Sequence, residues 1–230
     1  MLGVIGAMQI EVDKLIDTMS VEGQFEYSGF KYFKGKFGQT DTVVALGGIG
    51  KVNAALCAQI MIDKFSVDQI VNTGVAGGLC EEMSVFDIVV AESFVQHDMD
   101  ASAIGDPVGF VSGVNKINFM CDTELSDRLV GAAKETKESE IFTGVVATGD
   151  QFISSREKGL WLRRSFGAVA CEMEGGAIAH ACCLAGVRFA AIRCISDSAN
   201  DGANMSYEEF SGVAARLCSE IVLRAFWTND

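Results

Sequence analysis

One proline, Pro107, stands in 230 residues, and no serine-rich or proline-rich run accompanies it. Nothing therefore marks a linker, and residues 1–230 read as one domain, for which 49% hydrophobic residues supply a sizeable core. Histidine is nearly absent too: His97 and His180 are the only two, and neither has metal-ligand spacing with a cysteine. No metal and no other cofactor is expected. Basic residues are scarce, 18 against 31 acids, and the formal charge of -13 would repel a phosphate backbone, so nucleic acid is excluded as a partner. No apolar run reaches membrane-spanning length and no basic leader precedes the first strand, which predicts a cytoplasmic protein without membrane contact. The eight cysteines include no C-x-x-C pair, and Cys57, Cys182, Cys183 and Cys218 read as small buried hydrophobes in a reducing compartment.

What the chain does contain is an alternation of strand and helix signals. Leu2 to Ala7 is an apolar run suited to a central strand, and Val12, Leu15, Ile16 and Met19 then recur at helical spacing. Phe30 to Gly35 and Thr42 to Leu46 suggest an antiparallel pair. Val52, Ala55, Leu56 and Ile60 share a helical face behind Gly47-Gly48-Ile49-Gly50-Lys51. Further strands are expected at 67–73, 86–95, 141–148 and 187–195, with a helix from about Asp122 to Lys137 that buries Leu125, Leu129, Ala132 and Ala133. Ser206 and Glu209 suggest a capping box for a last helix with Phe210, Val213, Ala214, Leu217, Ile221 and Ala225 on one face. The predicted fold class is α/β, a mixed central sheet flanked by helices.

Chemistry concentrates where strands end. Small apolar residues 168–171 run into Glu172-Met173-Glu174 and then a glycine pair. In extended backbone Glu172 and Glu174 would share a face. Two readings are open for them: decoration of a helix N-terminus, or acids delivered to a cleft. Glu11 after the first strand, and Arg193, Ser196 and Asp197 after a late one, favour the cleft, because ligands of α/β sheets collect at the carboxyl ends of strands. The 47–51 glycine cluster is not a P-loop, since Ala45 and Val52 stand where that motif needs Gly and Ser or Thr; it reads as a close backbone approach with Ile49 as an apolar contact. Gly74-Val75-Ala76-Gly77-Gly78 is either a tight turn or a backbone floor for a flat ligand. Phe152 beside Ile153 at a strand exit reads as core or as ligand platform. Carboxylates suit a ribose diol, and an acid in a desolvated loop suits protonation of a purine nitrogen before the base departs.

Seven segments together resemble the 5′-methylthioadenosine/S-adenosylhomocysteine nucleosidases, within the purine nucleoside and uridine phosphorylase-like superfamily. They are residues 5–12, 48–52, 72–78, His97-Asp98-Met99-Asp100, Gly149-Asp150-Gln151-Phe152-Ile153, Glu172-Met173-Glu174 and Ile195-Ser196-Asp197, in that family's order across almost the whole chain. The resemblance implies a nucleoside phosphorylase-like fold, a homodimer, and hydrolysis of the adenine–ribose bond of a small-molecule nucleoside. The substrates it implies are methylthioadenosine, S-adenosylhomocysteine and 5′-deoxyadenosine. It carries Asp197 over as the acid at N7 of adenine, Glu11 as the base that activates water, Glu174 with Met173 as ligands of the ribose hydroxyls, and Arg193 as the group orienting water and acids. Phe152 would stack on adenine, the Ile153 backbone would read its edge, and Tyr207 would border the pocket. Met8, Ile49, Val75, Ala76, Gly77, Glu172 and Ser196 complete the implied substrate contacts.

Two departures from the family pattern stand out. Val75 replaces a serine that in many relatives helps hold the water, which leaves water positioning to Arg193 and Glu174. The 103–113 loop lacks the Tyr- and Pro-containing pattern of relatives, with Phe110 and Val111 in place of a wall lent by a second subunit, which bears on substrate choice. A phosphorylase of the same fold is the nearest rival, yet residues 1–80 hold no arginine for phosphate. An aminodeoxyfutalosine hydrolase and a non-catalytic nucleoside-binding module are the others.

Overall fold

The computed structural model describes residues 1–136, 139–199 and 203–229, with side chains from 207 onward in the last stretch. Its first strand, β1 (Leu2–Gly6), is buried throughout, as a continuous apolar run must be when parallel neighbours lie on both sides. Those neighbours are β4 (Thr40–Leu46) and β5 (Gln69–Gly78). Beyond β4 lie β3 (Phe30–Phe37) and β2 (Ser20–Tyr27), both antiparallel. On the other side β5 meets β9 (Ala168–Glu172) and β10 (Arg188–Asp197). Because β10 pairs with β6 (Ile88–Gln96), β6 with β8 (Ile141–Thr148), and β8 with β9, five strands close on themselves and β1 to β4 extend from the ring as a flange. A short β7 (Asn118–Met120) is added to β6.

Helices cover both faces of this mixed sheet, as the α/β pattern predicts. α2 (Lys51–Phe65) and α5 (Gly175–Ala185) share one apolar cluster; α1 (Gln9–Thr18), α3 (Thr123–Ala133) and α6 (Ala203–Phe226) share another on the opposite face. α4 (Arg156–Phe166) closes a smaller cluster through Leu162. Among the described residues no helix is long and apolar enough to cross a membrane.

Several local expectations need correction. β2, β7 and α4 have no counterpart in the expected elements. β5 does not stop before its glycines but runs through Gly74, Gly77 and Gly78, because β10 and β9 pair with that stretch. α2 buries Ala54, Cys57, Ala58 and Met61, whereas Val52 and Leu56 are 70% and 50% exposed. With apolar residues around most of its circumference, α2 turns its small ones to the sheet, where close packing gains more contact. α3 buries the four residues expected of it and is capped by Asp122, whose carboxylate accepts from the Leu125 amide at 3.0 Å; the Lys137 end of that expectation lies outside the described residues. α6 begins at Ala203, so Ser206 is inside its first turn rather than ahead of it, and Val213 faces outward. All eight cysteines are free, and Cys183, read as buried, is exposed. Asn200, Asp201 and Gly202 of the loop after β10 lie outside the described residues.

Candidate active site

The carboxyl ends of β1, β9 and β10, the middle of β5, the exit of β8 and the start of α6 surround one cavity of about 330 Å³. Glu11, Glu174 and Asp197 all line it, together with Met8, Ile49, Val75, Ala76, Gly77, Phe152, Ile153, Glu172, Met173, Ser196 and Tyr207. Ala7, Gln151 and Cys171 line it as well; they lie within segments singled out in the sequence but were not expected as substrate contacts. Arg193 does not line it.

Glu11 sits in the first turn of α1, and its carboxylate bridges two elements. Oε2 accepts from the amides of Ala7 (2.7 Å) and Met8 (2.9 Å), and Oε1 from that of Val75 (3.1 Å). A side chain at 74 would place its Cβ 2.5 Å from Oε1, so glycine is what lets the acid rest on β5. Burial raises the Glu11 pKa, opposed by the Met8 amide and then by the Arg193 charge. A carboxylate with raised affinity for protons inside a cleft is suited to act as a base.

Asp197 ends β10, where the pairing with β5 shifts register between Ile195 and Asp197. Such an irregularity re-aims a side chain at a strand end. Its Oδ1 accepts from the Ser196 hydroxyl and its Oδ2 from the Ala199 amide, both at 2.9 Å. Burial raises its pKa against these two bonds, so it keeps its proton to higher pH than an ordinary aspartate. Gly77 does for Asp197 what Gly74 does for Glu11: a Cβ there would lie 2.9 Å from Oδ2.

The two glutamates of the 172–174 motif have different fates. β9 ends at Glu172 and Glu174 is already the N-cap of α5, so the shared strand face expected for them does not exist. Glu174 crosses to α2, where Oε1 accepts from the Gly50 amide at 2.8 Å; burial, then the Glu172 charge, push its pKa up to about 8. Glu172 turns inward. Its Oε2 accepts from Arg193 Nη2 (2.7 Å), the Glu174 amide (2.9 Å) and the Gly175 amide (2.7 Å), and its Oε1 from the Thr148 hydroxyl. Arg193, 2% exposed, is held by Glu172, by Asn72 Oδ1 and by the Ile192 carbonyl (3.1 Å). Burial works against its charge, but Glu172, Glu11 and Glu174 outweigh it and raise its pKa. The guanidinium is thus a fixed positive charge behind the acids rather than a wall of the cavity. Asn72 and Thr148 were missed as members of this site; the polar Asn72-Thr73 pair directly after apolar Ile70-Val71 in a buried strand was the available signal for Asn72.

The 47–51 glycine cluster does bind anions, but they belong to the chain itself. Besides Gly50 to Glu174, the Lys51 amide donates to Asp150 Oδ1 (2.8 Å), Lys51 Nζ meets Asp98 Oδ1 (2.5 Å), and the Asp150 amide donates to Asp98 Oδ2 (2.9 Å). The N-terminus of α2 therefore clamps the loops after β6 and β8. The second of these carries Phe152, 45% exposed, which meets Tyr207 edge to face at 5.5 Å, while the Tyr207 hydroxyl donates to Met8 Sδ at 3.0 Å. Among the described residues no group of side chains has the arrangement of a metal site.

Residues 1–226 match the family model described as "Phosphorylase superfamily". The chain is 39% identical over 223 residues to a 5′-methylthioadenosine/S-adenosylhomocysteine nucleosidase of Staphylococcus haemolyticus, covering 96% of this chain and 97% of the relative. It is 34% identical to an aminodeoxyfutalosine nucleosidase of Campylobacter jejuni, covering 97% and 96%. The crystal structure of 5′-methylthioadenosine/S-adenosylhomocysteine nucleosidase from Neisseria meningitidis in complex with methylthio-immucillin-A superposes with a TM-score of 0.94 at 34% identity, over 97% of each chain.

Proposed function

The chain belongs to the phosphorylase superfamily, and from that premise we propose that it is an N-glycosyl hydrolase. It splits 5′-methylthioadenosine and S-adenosylhomocysteine, and also 5′-deoxyadenosine, into adenine and the corresponding ribose. The observation that carries this is the meeting of Glu11, Glu174 and Asp197 around one cavity. Asp197 gives its proton to N7 of adenine as the C1′–N9 bond breaks, and the electron pair leaves with the base. The cationic ribosyl left behind lies among carboxylates, which stabilise it. Water then attacks C1′ and yields its proton to Glu11. Glu174 accepts from the ribose hydroxyls beside Met173; two diol donors favour its ionised form, and the Gly50 amide already holds its other oxygen. Phe152 stacks on the base, the Ile153 backbone reads its edge, and Arg193 orients the acids from behind through Glu172.

Hydrolysis rather than phosphorolysis is supported by the cavity wall, which among the described residues has four carboxyl groups and no lysine, arginine or histidine. A phosphate dianion there would find no cationic side chain on the wall to receive it. The protein acts in methionine salvage as a cytoplasmic homodimer. Eight free thiols support a reducing compartment. The exposed Ile49, Val52 and Leu56 beside the cavity support a subunit interface. The test is adenine release from methylthioadenosine in phosphate-free buffer; release that requires phosphate would make the enzyme a phosphorylase. Likeness to the Campylobacter enzyme supports a second substrate, aminodeoxyfutalosine, and kcat/KM measured side by side on the two nucleosides ranks them.

A further inference from the structure

Glu172 lines the cavity, yet its carboxyl group is spent largely on the protein itself. Its Oε2 accepts from the Arg193 guanidinium and the amides of Glu174 and Gly175, and its Oε1 from the Thr148 hydroxyl. Its work is structural in a specific sense: it fixes the two backbone amides at the turn from which the Glu174 side chain departs. What fixes Glu172 on its other oxygen is Thr148, the last residue of β8 and fully buried. The same hydroxyl that gives its proton to Glu172 Oε1 accepts from the Gly176 amide at 2.7 Å. Gly176 has to be glycine for this, because a Cβ there would lie 2.8 Å from the hydroxyl oxygen.

We infer that Thr148 is a positioning residue for the sugar-binding carboxylate: it locks Glu172 and the first turn of α5, and so sets where Glu174 presents itself to a ribose. The inference rests on the proposed role of Glu174. Replacing the hydroxyl by a methyl group orphans a carboxylate oxygen and a buried amide together, and each can recover a partner only if the β9–α5 turn shifts. That shift moves the Glu174 backbone while Gly50 still holds its tip. The result is an acid misplaced relative to the diol rather than a lost fold.

The readout is discrimination between sugars. Binding of a C-nucleoside analogue of methylthioadenosine, whose C–C bond cannot be hydrolysed, is compared with binding of its 3′-deoxy counterpart, in parallel with kcat/KM on the two corresponding N-nucleosides. Thr148→Val is expected to shrink the wild-type preference for the intact diol roughly tenfold, the effect of losing a hydrogen bond to a charged group, and Thr148→Ser to restore it. Thr148→Ala serves the same comparison if the valine variant does not fold. A preference unchanged in the variant, with only thermal stability reduced, overturns the inference and leaves the function standing. Wild-type protein that binds neither nucleoside overturns the function, and the role of Thr148 falls with it.

Discussion

Replacing Glu174 by glutamine should make the protein more stable at alkaline pH while removing its activity. Burial, with the Glu172 charge second, moves the Glu174 pKa from 4.5 to about 8. Below about 4.5 the carboxyl is protonated in both folded and unfolded chains. Between that pH and about 8 the unfolded chain ionises first, so stability falls as pH rises. Above 8 the loss is complete and on the order of 5 kcal/mol. Glutamine does not titrate, and its carbonyl can still accept from the Gly50 amide. The two proteins should therefore unfold at similar temperature at pH 5 and diverge by pH 9, the variant melting about 10 °C higher, since roughly 2–4 °C accompanies each kcal/mol in a chain of this size. Glu11 and Asp197 are shifted in the same direction, so it is the difference between the two curves, not the wild-type curve, that reports on Glu174. Thermal melts by circular dichroism across pH 5–9 read it directly. Parallel curves, or a variant that is less stable at pH 9, would refute a carboxyl whose burial outweighs its Gly50 hydrogen bond at this position.

Asp197→Asn and Glu11→Gln should each lower kcat by about 10²–10⁴ or more with the fold retained, as loss of a positioned acid or base does; near wild-type turnover in either contradicts the assigned roles. Gly74→Ala puts a methyl group 2.5 Å from Glu11 Oε1, so kcat should fall while circular dichroism stays native, and unchanged kcat would show that Glu11 need not rest on β5. Lys51→Met cuts the ion pair to Asp98 that ties the loop after β6 to α2. KM should then rise more than kcat falls, because the clamp holds the segment bearing Phe152; equal effects on both would place the clamp in the chemical step instead. Activity should decline as pH rises through the elevated Asp197 pKa, because the acid must hold its proton before the base can leave, and a flat alkaline limb would exclude it as the donor.

Sequence by itself determined the α/β class, the strand-end origin of the acids, and the buried face of α3, whose pattern admits one apolar stripe. These are consequences of local periodicity and of where small and acidic residues fall along the chain. Tertiary structure alone decided which of two apolar faces α2 turns to the sheet, and that β5 continues through its glycines, for it is the pairing of residues 74–77 with β10 and of Gly77 and Gly78 with β9 that supplies that stretch with partners. It also decided that Glu172 is spent on Arg193, Thr148 and two amides while Glu174 faces the cavity, although the two stand one residue apart in the same motif. The physical reason is that a buried charge must be satisfied by whatever donors the fold brings to it, and those donors come from two different strands, β8 and β10, and from the start of α5, whose meeting no local pattern records.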